Sequence, residues 1–201
     1  MLLTLLSCQS TSTLDRIREL EKLEGKERIE AYQRETELNP EPELLYNLAY
    51  HQLEQGDFEN AILTARDVLE GNPEFLRMRF LLLLSYREAG YENAYLKTLE
   101  EISAELPYDE EIQGMLLEEY RKRRDYERMT ATARWILTFA PTDERALKAL
   151  SFESEYLFEL TDMFDFEKVM ETLPEMKTSS HVGEDAKMDW IRDRYVLPFL
   201  F

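Results

Sequence analysis

PEPELLYNLAYHQLEQGDFENAILTARDVLEGNP, residues 40–73, is the stretch that decides the fold. Leu45, Leu48, Ala49 and Leu53 recur at the spacing of one helix face. Gly56 ends that helix, because glycine adopts the left-handed conformation past a helix end at little cost. Asp57 follows as an N-cap, with a carboxylate suited to the free amides of the next turn. Ala61, Ala65, Val68 and Leu69 form a second helical series, and Pro73 closes the unit. The small residues Ala49, Ala61 and Ala65 allow two helix backbones to approach closely. The unit is therefore an antiparallel helix pair, and a lone pair cannot bury its apolar face.

The unit recurs. Closing prolines stand at 40, 73, 107, 141 and 174, at intervals of 33, 34, 34 and 33 residues. A period near 34 marks a helical solenoid. Leu48-Ala49, Gly56-Asp57-Phe58, Ala61, Ala65 and Pro73 resemble the signature of the tetratricopeptide repeat, most strongly over 42–75 and then through 76–143. The resemblance implies an all-α, right-handed superhelical solenoid of antiparallel helix pairs with a C-terminal capping helix, roughly ten helices in all. It divides the chain into a leader and tether (1–13), helical repeats (14–174), and a loop, capping helix and apolar tail (175–201).

Composition narrows the class. Of 201 residues, 44% are hydrophobic and 33% charged, which fits an ordered helical protein. The formal charge of −18 repels phosphate backbones, so nucleic acid is not an expected partner. Cys8 is the single cysteine, so no internal disulfide can form.

Residues 1–8, MLLTLLSC, are an apolar run ending in Leu5-Leu6-Ser7-Cys8. This resembles the lipobox of a truncated bacterial lipoprotein leader, in which the cysteine after a small residue carries the lipid. The polar Gln9–Thr13 segment suits a tether. The alternative is a frayed end with an incidental cysteine. Leu14, Ile17, Leu20 and Leu23 form the stripe of an opening helix, and Gly25 breaks it. The second turn, Gly90 to Ala94, reads as one residue shorter than Gly56 to Ala61. In the third repeat Arg124-Asp125-Tyr126-Glu127 stands where the family often has Gly-Asp-Tyr-Glu, and Met129 replaces a small residue. The basic run Arg121–Arg124 complements a helix C-terminus. The fourth unit has a long first helix from about 143 to 162, and a final helix from about 184 to 196 caps the end.

Nothing in the sequence points to catalysis, a metal or a cofactor. His51 and His181 lie far apart, no cysteine falls in the repeats, and no phosphate-binding glycine loop occurs. His51 and Glu54 read as a polar surface pair. The resemblance instead implies a concave groove lined by first helices. Carried over by position, it holds Tyr46, Tyr50 and Leu53, then Arg77, Phe80, Leu84 and Arg87, then Glu118 and Arg121, then Lys148, Phe152 and Tyr156. An aromatic groove with a few cations suits an extended peptide or partner helix. The lysine and asparagine clamp of co-chaperone members is not matched, since Tyr46, Tyr50, Leu81, Glu111 and Met115 stand there.

The resulting expectation is a non-enzymatic protein–protein interaction scaffold. It binds a protein or peptide in the groove and is anchored to a membrane through a lipid on Cys8. It belongs to a complex of the bacterial cell envelope and faces the periplasm. Two alternatives stay open: a small-ligand-binding accessory protein of a transport system, and a cytoplasmic adaptor of the same repeat class. Cys8→Ser is expected to abolish lipid attachment and shift the chain out of the membrane fraction. Unchanged membrane fractionation and an unchanged mass after lipase treatment would refute the anchor.

Overall fold

The computed structural model describes residues 12–151. These form α1 (Thr13–Leu20), α2 (Gly25–Leu38), α3 (Pro42–Glu54), α4 (Phe58–Gly71), α5 (Leu76–Glu88), α6 (Glu92–Glu105), α7 (Glu110–Lys122) and α8 (Tyr126–Phe139). A further helical segment covers 144–151, and no strand occurs among the described residues. Among the described residues the fold is an all-α repeat of helix pairs. Its register is strict: α3, α5 and α7 begin 34 residues apart, and so do α4, α6 and α8. The expected fourth-unit helix beyond 151 and the capping helix lie outside the described residues. The chain divides into two compact units between Tyr95 and Leu96, inside α6.

In the first unit α3 packs against α2, α4 and α5, and α4 also packs against α5. The close approach follows from Ala49, Ala61 and Ala65, all fully buried. The opening stripe is partly as expected: Ile17 is buried with Ile29, Tyr32, Leu44 and Leu48, and Leu20 packs against them. Leu14 remains 37% exposed.

Each turn between paired helices uses one left-handed residue. Gly56 has φ +77° and Gly90 φ +75°. Around Gly56, the Asp57 N–H donates to the Gln52 carbonyl at 2.8 Å and the Gly56 N–H to the Leu53 carbonyl at 3.0 Å. That pair of bonds satisfies carbonyls the helix end would leave open. The same pair recurs as Tyr91 to Tyr86 and Gly90 to Arg87, then as Asp125 to Tyr120 and Arg124 to Arg121. Thus Arg124, at φ +59°, takes the glycine's place in the third repeat.

Two sequence expectations need correction. The second turn is not shorter: α6 starts at Glu92 in register with Phe58, so Tyr95 takes the position of Ala61. Tyr95 is buried whereas Ala94 is half-exposed. Asp57 sits at the N-cap but makes no side-chain cap bond. Its two carboxylate oxygens accept instead from the Asn60 side-chain amide, at 3.0 and 2.8 Å. Asp125, which has Arg128 in place of that asparagine, does cap, accepting from the Arg128 backbone N–H at 3.2 Å.

In the second unit α7 pairs with α8. Gln113 donates to the Ser103 carbonyl at 3.0 Å, which ties α7 to the end of α6. Met129, where a small residue was expected, is only 1% exposed. Gly114 in mid-α7 makes room for Arg145, whose Cζ would lie 2.4 Å from an added Cβ. The seated guanidinium donates to Asp143 at 2.7 Å and to Glu111 at 3.0 Å.

A left-handed residue with a Cβ costs roughly 1–2 kcal/mol, and glycine returns part of that as extra freedom of the unfolded chain. Arg124→Gly is therefore expected to stabilise the protein by up to about 1 kcal/mol. Urea denaturation checks it: the midpoint should rise with an unchanged slope. Gly90→Arg should move the midpoint the other way.

Candidate functional site

The face attributed to a groove is built, in the first unit, from matching positions of α3 and α5. Tyr46, Tyr50 and Leu53 stand 34 residues before Phe80, Leu84 and Arg87. Burial sorts them. Tyr46 and Phe80 are 0% exposed, Leu84 2% and Leu53 4%. Their placement as open groove-lining side chains is corrected: they are interior residues. The physical reason for α3 is its position, with α2 on one side and α4 and α5 on the other. Tyr50, Arg77 and Arg87 are half-buried and carry what this face presents to solvent.

Arg77 and Tyr46 are brought together. The guanidinium carbon lies 5.0 Å from the ring centroid, and Phe75 packs at 5.8 Å from the same ring. Burial pushes the Tyr46 hydroxyl pKa up, with Arg77 opposing. Tyr50 meets His51 edge-on at 5.2 Å. In the second unit Arg121 and Lys148 are exposed. Arg121 is held by Glu118, its neighbour one turn back, at 2.5 Å. Phe152, Tyr156 and Cys8 lie outside the described residues.

The reading of His51 and Glu54 as a surface pair is also corrected. His51 is 6% exposed, and its Nε2 lies 2.6 Å from Glu21 Oε1. Tyr32 donates its hydroxyl to the same Glu21 oxygen at 2.7 Å, and Asn47 donates to Tyr32 at 3.3 Å. Arg28 reaches the other Glu21 oxygen at 3.3 Å. The network joins the end of α1 to α2 and α3. One signal for it was available: Leu44, Asn47, Leu48 and His51 share a helical stripe, so two polar residues fall on an apolar face. Glu21, across the loop, gave none.

Burial raises the Glu21 pKa, but hydrogen bonds from His51 and Tyr32 and the charges of His51 and Arg28 outweigh it. Its carboxyl is held below the usual range. Tyr32 is raised by burial and by the Glu21 carboxylate it bonds. In the second unit Tyr120 is pushed up to about 12 by burial and by donating to Glu100.

The small-ligand alternative calls for an aromatic cavity with a cation. The hollow found in the first unit, about 480 Å³, is lined by Pro42, Glu43, Gly71, Asn72, Pro73, Glu74 and Phe75. It has two carboxylates and no cation. Among the described residues no three His, Cys, Asp or Glu side chains gather into a possible metal site, and no helix is long and apolar enough to cross a membrane.

With this geometry in hand, the chain can be set beside known proteins. No protein-family model matches it, and no curated protein matches its sequence. Solved structures do. A crystal structure of MamA aligns with TM-score 0.54 at 16% identity, covering 74% of this chain and 88% of that one. MamA (41 to end) from Desulfovibrio magneticus RS-1 aligns with TM-score 0.53 at 20% identity, covering 78% and 89%. A further MamA structure gives 0.54 at 14% identity, covering 81% and 94%. At such identities the likeness is one of fold.

The lowered Glu21 pKa fixes a sign. A carboxyl held below its unfolded value stabilises the fold above that value, and the contribution is lost as pH falls through the folded one. Glu21→Gln is therefore expected to be less stable than wild type at neutral pH. The gap should narrow as pH falls past the ordinary 4.5. Urea midpoints of both proteins across that range check this; a pH-independent gap would show that ionisation of Glu21 contributes nothing.

Proposed function

We propose that this chain is a non-catalytic interaction scaffold, that the face of α3 and α5 receives a segment of a partner protein, and that a lipid on Cys8 holds it at the bacterial cell envelope, facing the periplasm. The observation that carries the binding reading is the pairing on that face. Interior Tyr46 carries Arg77 over its ring, and half-buried Tyr50 and Arg87 stand at first-helix positions of the same face as interior Phe80. Aromatic and arginine side chains set on a rigid base lose little entropy on binding and dominate interface energetics. Helical-repeat solenoids use their extended faces in this way.

The titratable groups that burial gathers have structural work. Glu21, His51, Tyr32 and Arg28 bond one another. Asp143 accepts from Arg145 and from the Ala146 N–H. This supports a binding role over a catalytic one. The apolar run before Cys8 supports the anchor.

The test begins with a benzophenone side chain at position 50, which should crosslink a single envelope protein. Against that protein, Tyr50→Ala and Arg87→Ala are expected to weaken binding about tenfold or more each. Glu59→Lys, at an exposed position of α4, should leave it within about twofold. Phe80→Ala is expected to destabilise the fold by about 3–5 kcal/mol, as loss of a buried aromatic does. Loss of binding in Glu59→Lys with retention in the other two would move the site off this face.

A further inference from the structure

Three aromatic side chains gather at the surface of the second unit. Tyr108 follows Pro107, and Trp135 and Phe139 stand one turn apart on α8. Ring centroids are 5.5 Å apart for Tyr108–Trp135, 5.7 Å for Tyr108–Phe139 and 6.1 Å for Trp135–Phe139. The Trp135 indole N–H donates to the Pro107 carbonyl at 2.8 Å. That bond holds one ring orientation and leaves the indole no unsatisfied polar group. Even so, Tyr108 is 67% exposed and Trp135 39%.

The repeat does not require aromatics here. With helices recurring every 34 residues, positions compare directly. The equivalents of Trp135 are Asp67 and Glu101, those of Phe139 are Gly71 and Glu105, and those of Tyr108 are Pro40 and Glu74. All of these equivalents are exposed. Positions that face solvent elsewhere, mostly with charge, carry rings in this repeat alone. A cluster of exposed large apolar side chains marks a contact surface.

The centroid separations are those of rings packed on one another, so the cluster is a platform and not a cage around a cation. Its setting is acidic. Glu105 and Asp109 flank it in the chain, Glu101 lies one turn before Glu105 on α6, and the whole protein carries −18. The neighbouring cations are Arg134, beside Trp135, and Lys97, 3.9 Å from Glu101. We propose that this platform docks a basic, arginine-bearing segment of a partner protein, with guanidinium groups stacked on the faces of Tyr108 and Trp135. A guanidinium is planar and weakly hydrated, and it stacks on aromatic faces more readily than an ammonium. The surrounding carboxylates steer such a segment in. A second copy of this chain brings another −18 and is repelled. The platform shares no residue with the α3–α5 face and stands whether or not that face binds a partner.

The experiment uses the full chain and two fluorescent peptides, one alternating arginine with glycine and one alternating lysine with glycine, at near-physiological salt. Tyr108→Gln and Trp135→Gln remove a ring at constant charge. Trp135→Glu and Phe139→Glu install what the preceding repeat carries, so the fold is kept. Wild type should bind the arginine peptide about tenfold tighter than any of the four variants, and prefer it to the lysine peptide. Three results would each overturn the proposal. One is equal binding by the Gln variants. Another is tighter binding by the Glu variants, which would mean attraction by net charge alone. The third is a wild-type dimer in sedimentation that Trp135→Gln abolishes, which would make a second copy the occupant.

Discussion

One left-handed residue every 34 positions sets the geometry of this protein. At Gly56, Gly90 and Arg124 the chain leaves one helix and enters the next through the same pair of backbone hydrogen bonds. Because the reversal is identical each time, the helices that follow start in register, and apolar stripes written once per period meet their counterparts. Strict register lets Ala49, Ala61 and Ala65 lie fully buried in the first unit. A shifted turn would rotate α4 and bring charged side chains to the crossing. The third repeat keeps the turn with an arginine, so hydrogen bonding and packing outweigh the local backbone cost there.

Polar groups are buried where the repeat pattern weakens. The opening helices lack the full apolar signature, and the joint of α1, α2 and α3 is closed by Glu21, His51, Tyr32, Arg28 and Asn47. Such a network stabilises only when each member is satisfied, since a buried carboxylate without partners costs several kcal/mol. It also specifies geometry more narrowly than aliphatic contacts, because its bonds have direction. At the other end of the described chain, Arg145 plays a comparable part. It lies over Gly114 and links Asp143 to Glu111. Both clusters use charge to position helices.

The candidate surfaces differ in how openly they were written. Tyr50, Arg77 and Arg87 were legible because first-helix positions can be counted from the period. Tyr46, Leu53, Phe80 and Leu84 were counted just as readily, yet they are interior. Counting assigns a residue to a helix face but says nothing of how much neighbouring helices cover that face. The Tyr108–Trp135–Phe139 cluster was missed for the opposite reason. Its members come from a turn and from a second helix, and only the packing of α7 and α8 brings them within ring contact.

The sequence by itself determined the helix pairs, their period, their turns and the small residues at the crossings. All of these depend on local backbone preference and on apolar spacing, which are read within one or two turns. It also determined the net charge of −18, which makes nucleic acid an unexpected partner. Tertiary structure alone decided burial, the partners of charged groups and the exact register of the second turn. Those depend on which side chains arrive from residues far along the chain: Glu21 reaching His51, Arg145 reaching Glu111, Trp135 reaching Pro107. Their energies depend on distance and on exclusion of water, and neither is defined until the helices have packed.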